Sequence, residues 1–513
     1  MSQLVNKPYF SLKRAAMLNW MGFAVNFGLA MFMTPLILNT LGKEGFGIWA
    51  LIQSLTGYYG LVNMGLGSAV NRFVNRDVAK GDLESLQMTL DAATVFLTIT
   101  GVLVLGLAWW FGTDAAAWLN VRELGPEAFA AVLMVSCFAV VSDFFSVIPG
   151  AILDAAERCE VGVFLGIGRM VTQAIGAFTV LHIKPGLFEL ALVFTTTSIV
   201  AQILAQFLAR KAIPGLRILP RGWYRSRLGE LLRYGSGTML ITISNLVRLR
   251  LGSVLIARSV GMVAVANYSI ATGLITNFNS IIGSATKMLG VRFTKLHETG
   301  SRDELHHTYR VSLFAVSFIA FGIGSAMMVF ADRFLTLWLG REMPETALVL
   351  QVLTVAYVLA LAQGPGRDMM FALSKHHALA WVTAVECVVN LSLGVVWARS
   401  HGAVGFAMAT AVTMTVSKIL FQPWYAAKVC DISLKRYLSP MIMPAFCGSL
   451  MVILALSVDM VGWLRQGSIL RFLSAASVFG ISYTTLVLIL CRGQDYMPDG
   501  FIGRKRIRAR AAN

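Results

Sequence analysis

The chain has 513 residues, 57% of them apolar and only 13% charged, and its mean hydropathy is +0.70. That composition excludes a soluble globular protein. The 43 Lys and Arg outnumber the 26 Asp and Glu, for a net charge of +17, but they sit between apolar runs and no basic–aromatic motif accompanies them. They read as membrane topology, with no nucleic acid as a partner.

Apolar runs of about 20 residues, the length that crosses a bilayer, recur along the whole chain. Lys7, Lys13 and Arg14 precede the first, which continues to about Leu38, beyond the h-region of a cleaved signal. It is read as an uncleaved span over 15–39, carrying Asn19 and Asn26. A polar turn at Gly42–Gly45 leads into span 2, 46–71. Spans 3 and 4 cover 86–111 and 127–153, with a short interfacial helix expected over Asp114–Arg122 and an interruption of span 4 at Pro149-Gly150. Spans 5 and 6 cover 161–181 and 187–209. A basic loop follows, with Arg210, Lys211, Arg217, Arg221, Arg225 and Arg227. Span 7, about 230–257, holds Ser244, Asn245, Arg248 and Arg250. Spans 8 to 10 are placed at 262–288, 309–330 and 346–373, the last containing Gly364-Pro365-Gly366. Spans 11 to 14 are placed at 378–398, 403–429, 440–460 and 469–490, before a basic tail.

Fourteen spans put both termini on one side, where about 29 of the 43 Lys and Arg fall, against about 9 on the other. The termini are therefore expected in the cytoplasm. The chain also repeats. Leu41-Gly42 and Phe46–Leu51 recur as Val260-Gly261 and Val265–Ile270; Trp118-Leu119, Arg122-Glu123 and Pro126-Glu127 recur as Trp338-Leu339, Arg341-Glu342 and Pro344-Glu345; Pro149 recurs as Pro365. An offset of about 220 residues in each case points to duplication. Six spans per repeat keep both halves in one orientation, with a site between them. The expected organisation is an N-terminal lobe over 1–210, a basic linker over 211–229, a C-terminal lobe over 230–430, two further helices over 431–491 and a basic tail over 492–513.

Charges inside spans are costly, by about 2.5–3.5 kcal/mol at the bilayer centre, and mark function or pairing. Arg248 and Arg250 face a wet cavity that takes an anion, or pair and snorkel; two residues apart, they point about 200° apart on a helix. Ser244, Asn245, Asn19 and Asn26 are candidates for binding head-group hydroxyls, or for bonding between helices. Asp143 matches Arg169 in depth, and Glu386 matches Lys418; each is a structural ion pair or, for Glu386, a titrating site coupled to H+ or Na+. Pro149 and Pro365 are hinges or static kinks. Gly162-x-x-x-Gly166 reads as helix packing. The six cysteines form no CxxC pair and read as apolar packing residues. His306-His307 and His376-His377 are expected in loops, so no metal site follows. No Walker motif, other cofactor site or catalytic triad is present, so no enzyme is expected.

At residues 41–82 the sequence reads LGKEGFGIWALIQSLTGYYGLVNMGLGSAVNRFVNRDVAKGD. Its Gly-x-Trp, Ser-Leu-x-Gly-Tyr, Gly-Leu-Gly-Ser-Ala and Lys-Gly-Asp elements resemble the polysaccharide (Wzx-type) flippases, in the superfamily that also holds the multidrug MATE exporters and the lipid II flippases. Asn63-Met64 stands where many relatives carry an acid before Gly-Leu-Gly. The resemblance implies an all-α polytopic membrane protein with a MATE-like pair of six-helix lobes plus two C-terminal helices. It implies a flippase that moves undecaprenyl-pyrophosphate-linked oligosaccharide between the leaflets of the bacterial inner membrane, among membrane lipids, a polysaccharide polymerase and glycosyltransferases. Arginine suits pyrophosphate because its planar fork pairs oxygens bidentately. The alternative is a MATE-like exporter of organic cations, which would favour carboxylates in spans 1 and 7.

Overall fold

The computed structural model describes residues 12–57, 60–217, 220, 222, 224–235, 250–286, 289–373, 375, 377–458, 468–492, 494 and 496. Among them every regular element is a helix. The first half holds α1 (Leu12–Gly57), α2 (Gly60–Lys80), α3 (Leu83–Trp118), α4 (Pro126–Phe144), α5 (Val147–Ala155), α6 (Cys159–Ile183), α7 (Leu187–Ala212) and α8 (Arg225–Gly235). Then come α9 (250–259), α10 (Met262–Thr286), α11 (Leu289–Glu298) and α12 (Arg302–Leu339). The second half continues with α13 (Pro344–Ala362), α14 (Gly364–Ala372), α15 (His377–Val416), a π-helical turn (Ser417–Phe421), α16 (Gln422–Val429), α17 (Leu434–Ser457) and α18 (Ile469–Leu490).

Ten helical stretches among the described residues are long and apolar enough to cross a membrane. Their outer faces carry large apolar side chains, such as Leu103, Trp109 and Trp110 on α3, exposed by 60%, 75% and 70%. Surface of that kind is stable only against hydrocarbon. Two stretches turn sharply inside: α1 at Gly42 (φ 73°) and α15 at Gly402 (φ 60°). Glycine reaches that left-handed region without a Cβ clash, so each continuous helical run is two arms. The interior of span 7, residues 236–249, lies outside the described residues.

The order of elements repeats. α4 has 19 residues, opens on Pro126 and is followed by the nine-residue α5; α13 has 19 residues, opens on Pro344 and is followed by the nine-residue α14. The prolines cause both breaks. Pro149 has no N–H for the carbonyl four residues back, and its ring clashes with it. The helix therefore stops at Phe145-Ser146, upstream of the interruption expected at Pro149-Gly150, and Ser146 donates to the Asp143 carbonyl from its N–H (3.1 Å) and its hydroxyl (2.6 Å). The second break falls at Gln363, which leaves Pro365 in the first turn of α14, where its missing N–H costs nothing.

Other expectations give way to local packing. Asp114–Trp118 does not form a separate interfacial helix but completes α3, because Ala115–Ala117 are strong helix formers. Gly162 and Gly166 have open space where a Cβ would stand, so they are not a close-packing pair. His306 and His307 lie in the opening turns of α12, not in a loop; Asp303 and Glu304 favour the helix start. A ring nitrogen of His306 lies 3.1 Å from the Cys430 carbonyl oxygen. His376 is outside the described residues.

Packing divides the chain into two compact units, Met1–Ser269 and Ile270–Asn513. In the first, α4 packs on α3 and α7, α6 on α1 and α7, and α8 on α2 and α3. This unit runs past the lobe boundary expected at 230, and within it Gly47 meets the Met262 carbonyl with no room for a side chain. In the second unit, α12 packs against α13, α17 and α18. One buried cluster includes Phe293, Leu313, Met369 and the stacked rings of Tyr309 and Tyr437, 5.1 Å apart.

Candidate functional site

The 41–82 stretch forms the second arm of α1 and α2, and several residues of its quoted elements have a structural task. Gly42 turns the chain, and Gly47 admits the Met262 backbone. The Trp49 ring packs edge-on to Phe194 at 5.1 Å. Gly81 (φ 69°) ends α2, and Asp82 caps α3 by accepting the Ser85 N–H at 2.9 Å. The Ser85 hydroxyl, then its N–H, hold the Asp82 carboxyl below the usual carboxylate range.

Gly57 closes the second arm of α1 beside Arg250. A Cβ there would stand 2.8 Å from Arg250 Nε and 2.9 Å from Cζ. Arg250, partly buried on α9, donates from Nη1 to the Gln53 carbonyl at 3.4 Å. A cation against the end of a helix is electrostatically favourable, and glycine is what lets a guanidinium come so near.

A network of paired charges lies where α2, α3 and α8 meet. The Asp77 side chain is 2% exposed. Its Oδ2 accepts Arg227 Nη2 at 2.6 Å and the Thr89 hydroxyl at 2.9 Å, and its Oδ1 accepts Arg76 Nη2 at 2.8 Å. Arg227 Nε also donates to Thr89 at 2.9 Å, and its Nη1 pairs with Glu230 at 3.1 Å. The guanidinium lies 5.0 Å from the centre of the Phe73 ring. Every oxygen of a buried carboxylate is thus answered, as burial requires.

The second unit holds a polar cluster inside apolar helices. Lys418 Nζ is 3.7 Å from Glu386 Oε2, with side chains 12% and 2% exposed. Lys418 sits on the π turn, which forms because Pro423 has no N–H to keep the α ladder; Gln422 N–H reaches back to Ser417 O instead. The Lys418 carbonyl accepts Gln363 Nε2 at 2.8 Å, tying the π turn to the break before Pro365. One turn from Glu386, buried Asn390 donates to buried Thr410 at 2.9 Å.

The structure brings Asp143 to Arg169, whose Nη1 donates to its carboxylate, and Glu386 to Lys418. It places Arg250 on Gln53 and Asn26 on an exposed face of α1. Ser244, Asn245, Arg248 and the side chain of Asn19 lie outside the described residues. The sequence did not single out Gly57, Asp77, Thr89, Gln363, Asn390 or Thr410. Only Gly57 falls in a quoted element, Ser-Leu-x-Gly-Tyr; uncharged polar residues in apolar runs carry no signal of their partners.

A family model described as polysaccharide biosynthesis protein matches residues 12–289. The uncharacterized membrane protein EpsK of Bacillus subtilis (strain 168) is 22% identical over 437 residues, covering 83% of this chain and 85% of that protein. The probable low-salt glycan biosynthesis flippase Agl15 of Haloferax volcanii is 23% identical over 406 residues, covering 77% and 79%. Among solved structures, the lipid II flippase MurJ in an inward closed conformation superposes with a TM-score of 0.67 at 12% identity, covering 91% of this chain and 99% of that one. An inward-facing multidrug resistance MATE family transporter of the MOP superfamily gives 0.65 at 13% identity, covering 79% and 96%. These likenesses establish the fold: an all-α, multi-pass membrane architecture. The family match spans more than half of the chain, including the 41–82 stretch, Arg227 and Arg250, and this membrane protein belongs to the polysaccharide biosynthesis protein family.

Proposed function

We propose that the protein flips undecaprenyl-pyrophosphate-linked oligosaccharide from the cytoplasmic to the periplasmic leaflet of a bacterial inner membrane, for surface polysaccharide synthesis, by alternating access. The observation that carries this reading is Arg250, a partly buried arginine at the start of α9, in the stretch expected as span 7, whose guanidinium is seated by the Gln53 carbonyl and by the absence of a side chain at Gly57. A guanidinium offers five donors in a fixed fork, which suits the bridging and terminal oxygens of a pyrophosphate. α1 carries no Asp or Glu before the Gly42 turn; a carrier of organic cations would be expected to place a carboxylate there. The polyprenyl tail stays in lipid while the protein shields the charged head, so only the head group needs a polar path.

In this reading the termini and the 211–229 linker are cytoplasmic, by the positive-inside rule. Glu386 and Lys418 couple transport to H+ or Na+, with Asn390 and Thr410 supplying neutral oxygen ligands beside them. Asp143 and Arg169 brace the α4–α5 break, and the breaks before Pro149 and Pro365 flex as the lobes rock. A polysaccharide polymerase and glycosyltransferases supply and consume the cargo. The test is reconstitution of the purified protein in vesicles with labelled lipid-linked oligosaccharide in the outer leaflet. Movement of label to the inner leaflet supports the reading. Efflux of organic cations without movement of lipid-linked sugar overturns it in favour of an exporter.

A further inference from the structure

A cavity of about 330 Å³ opens in the first unit between α3, α4, α5 and α7, beside the start of the linker. It is at the small end of the range of ~300–1,000 Å³ typical of ligand pockets, room for a head group and the first carbons of its chains. Its two ends differ. One is apolar and includes Ile199 and Ile203, which are 40% and 63% exposed on the membrane-crossing helix α7. Leu192, Val200 and Phe207 are exposed on the same helix, so this end looks onto hydrocarbon. The other end carries Arg210, in the last turn of α7, and Arg217.

The cationic end is built. The Arg217 N–H donates to Gln87 Oε1 at 3.1 Å, and Gln87 Nε2 donates to Asp91 Oδ1 at 2.7 Å, which folds the linker start back onto α3. The wall also holds Gln202, whose Nε2 is buried with no hydrogen-bond partner among the described residues. A buried donor without an acceptor is unfavourable, and a ligand oxygen would satisfy it. Two arginines and one carboxylate leave the lining one net positive charge when Asp91 is ionised. That matches a single phosphodiester, and not the two or more charges of a pyrophosphate.

We infer that this cavity is a binding site for one anionic glycerophospholipid of phosphatidylglycerol type. Its phosphodiester sits at Arg210 and Arg217, an ester or phosphate oxygen accepts from Gln202 Nε2, and its chains run out past Ile199 and Ile203. The bound lipid ties α3, α7 and the linker together. Nothing in this depends on what the protein transports.

Native mass spectrometry of the full-length protein, delipidated in mild detergent and titrated with phosphatidylglycerol, phosphatidylethanolamine or undecaprenyl diphosphate, tests it. The expected result is one retained phosphatidylglycerol per chain, bound at least tenfold more tightly than phosphatidylethanolamine. Arg210→Ala/Arg217→Ala should weaken it about tenfold or more while leaving the melting temperature of the delipidated protein unchanged. If the double variant does not fold, Gln202→Leu, which keeps both charges, should weaken it severalfold. Equal retention of both phospholipids, unchanged binding in a folded variant, or displacement of phosphatidylglycerol by equimolar undecaprenyl diphosphate would overturn the assignment, the last by making the cavity part of the cargo path.

Discussion

Arg227, in the first turn of the linker helix α8, donates from Nη2 to Oδ2 of Asp77 at the end of α2, 2.6 Å away, with the two side chains 14% and 2% exposed. The linker is therefore fastened to the first unit by a buried, charge-assisted bond. Removing one partner of such a pair costs about 3–5 kcal/mol, because it strands the other charge. Arg227→Met is expected to cost about 3 kcal/mol, and Asp77→Asn/Arg227→Met less than the two single changes together. Unfolding in mixed detergent and denaturant measures the cycle. Losses that add within about 0.5 kcal/mol would show the pair to be uncoupled.

Gly57 and Arg250 form a second unit of behaviour. Gly57→Ala puts a methyl group 2.8 Å from Arg250 Nε, so the guanidinium has to shift from its present seat. Transport is expected to fall at least tenfold with insertion unchanged, as for Arg250→Ala, and the double variant to be no worse than either single one. Arg250→Lys keeps charge without the fork and should recover transport only in part. Gly106→Ala, which meets open space, is the control. Full flipping activity in Arg250→Ala vesicles would remove Arg250 from the cargo site.

The Glu386–Lys418 pair separates coupling from structure. Glu386→Gln is expected to abolish the dependence of vesicle transport on an imposed proton or sodium gradient, while downhill exchange of labelled lipid persists. If the variant follows the gradient as the native protein does, at every external pH, the pair is structural.

Asp82 gives a pH signature. Its carboxyl is held below the usual range by Ser85, so the folded state binds the proton less well than the unfolded chain. Its contribution is present above the unfolded value of about 3.9 and lost as pH falls through the lower folded value. Asp82→Ala should lower the melting temperature at pH 7 and approach the native protein's value toward pH 3. A gap that stays constant with pH would assign the effect to something other than this cap.

Topology is checked by reporter fusions. Sites at Asn120 and Gly340, in the turns after α3 and α12, are expected to report periplasm, and sites at Lys80 and Gly222 cytoplasm. A cytoplasmic signal at Gly340 would displace the expected fourteen-span count in the second half.

The sequence by itself determined the helical class, the membrane environment and the repeat. Each is a property of local composition and period: apolar runs long enough to cross a bilayer, and prolines recurring at 126 and 344 and at 149 and 365 that set two 19-residue helices before two nine-residue ones. It also matched Asp143 with Arg169 and Glu386 with Lys418, because the depth of a charge in a span can be counted along the chain. Tertiary structure alone decided the contacts that join distant segments. Asp77 meets an arginine 150 positions away, and nothing in an Arg-Asp dipeptide states that one of the two will be buried. Gly57 is constrained by a guanidinium on another helix, and Gln363 by a carbonyl that only a π turn frees. Arg217 is held on α3 by a glutamine 130 positions away, through its backbone N–H. Such partners are chosen by which helix faces pack, and helical period fixes a face without naming what lies against it.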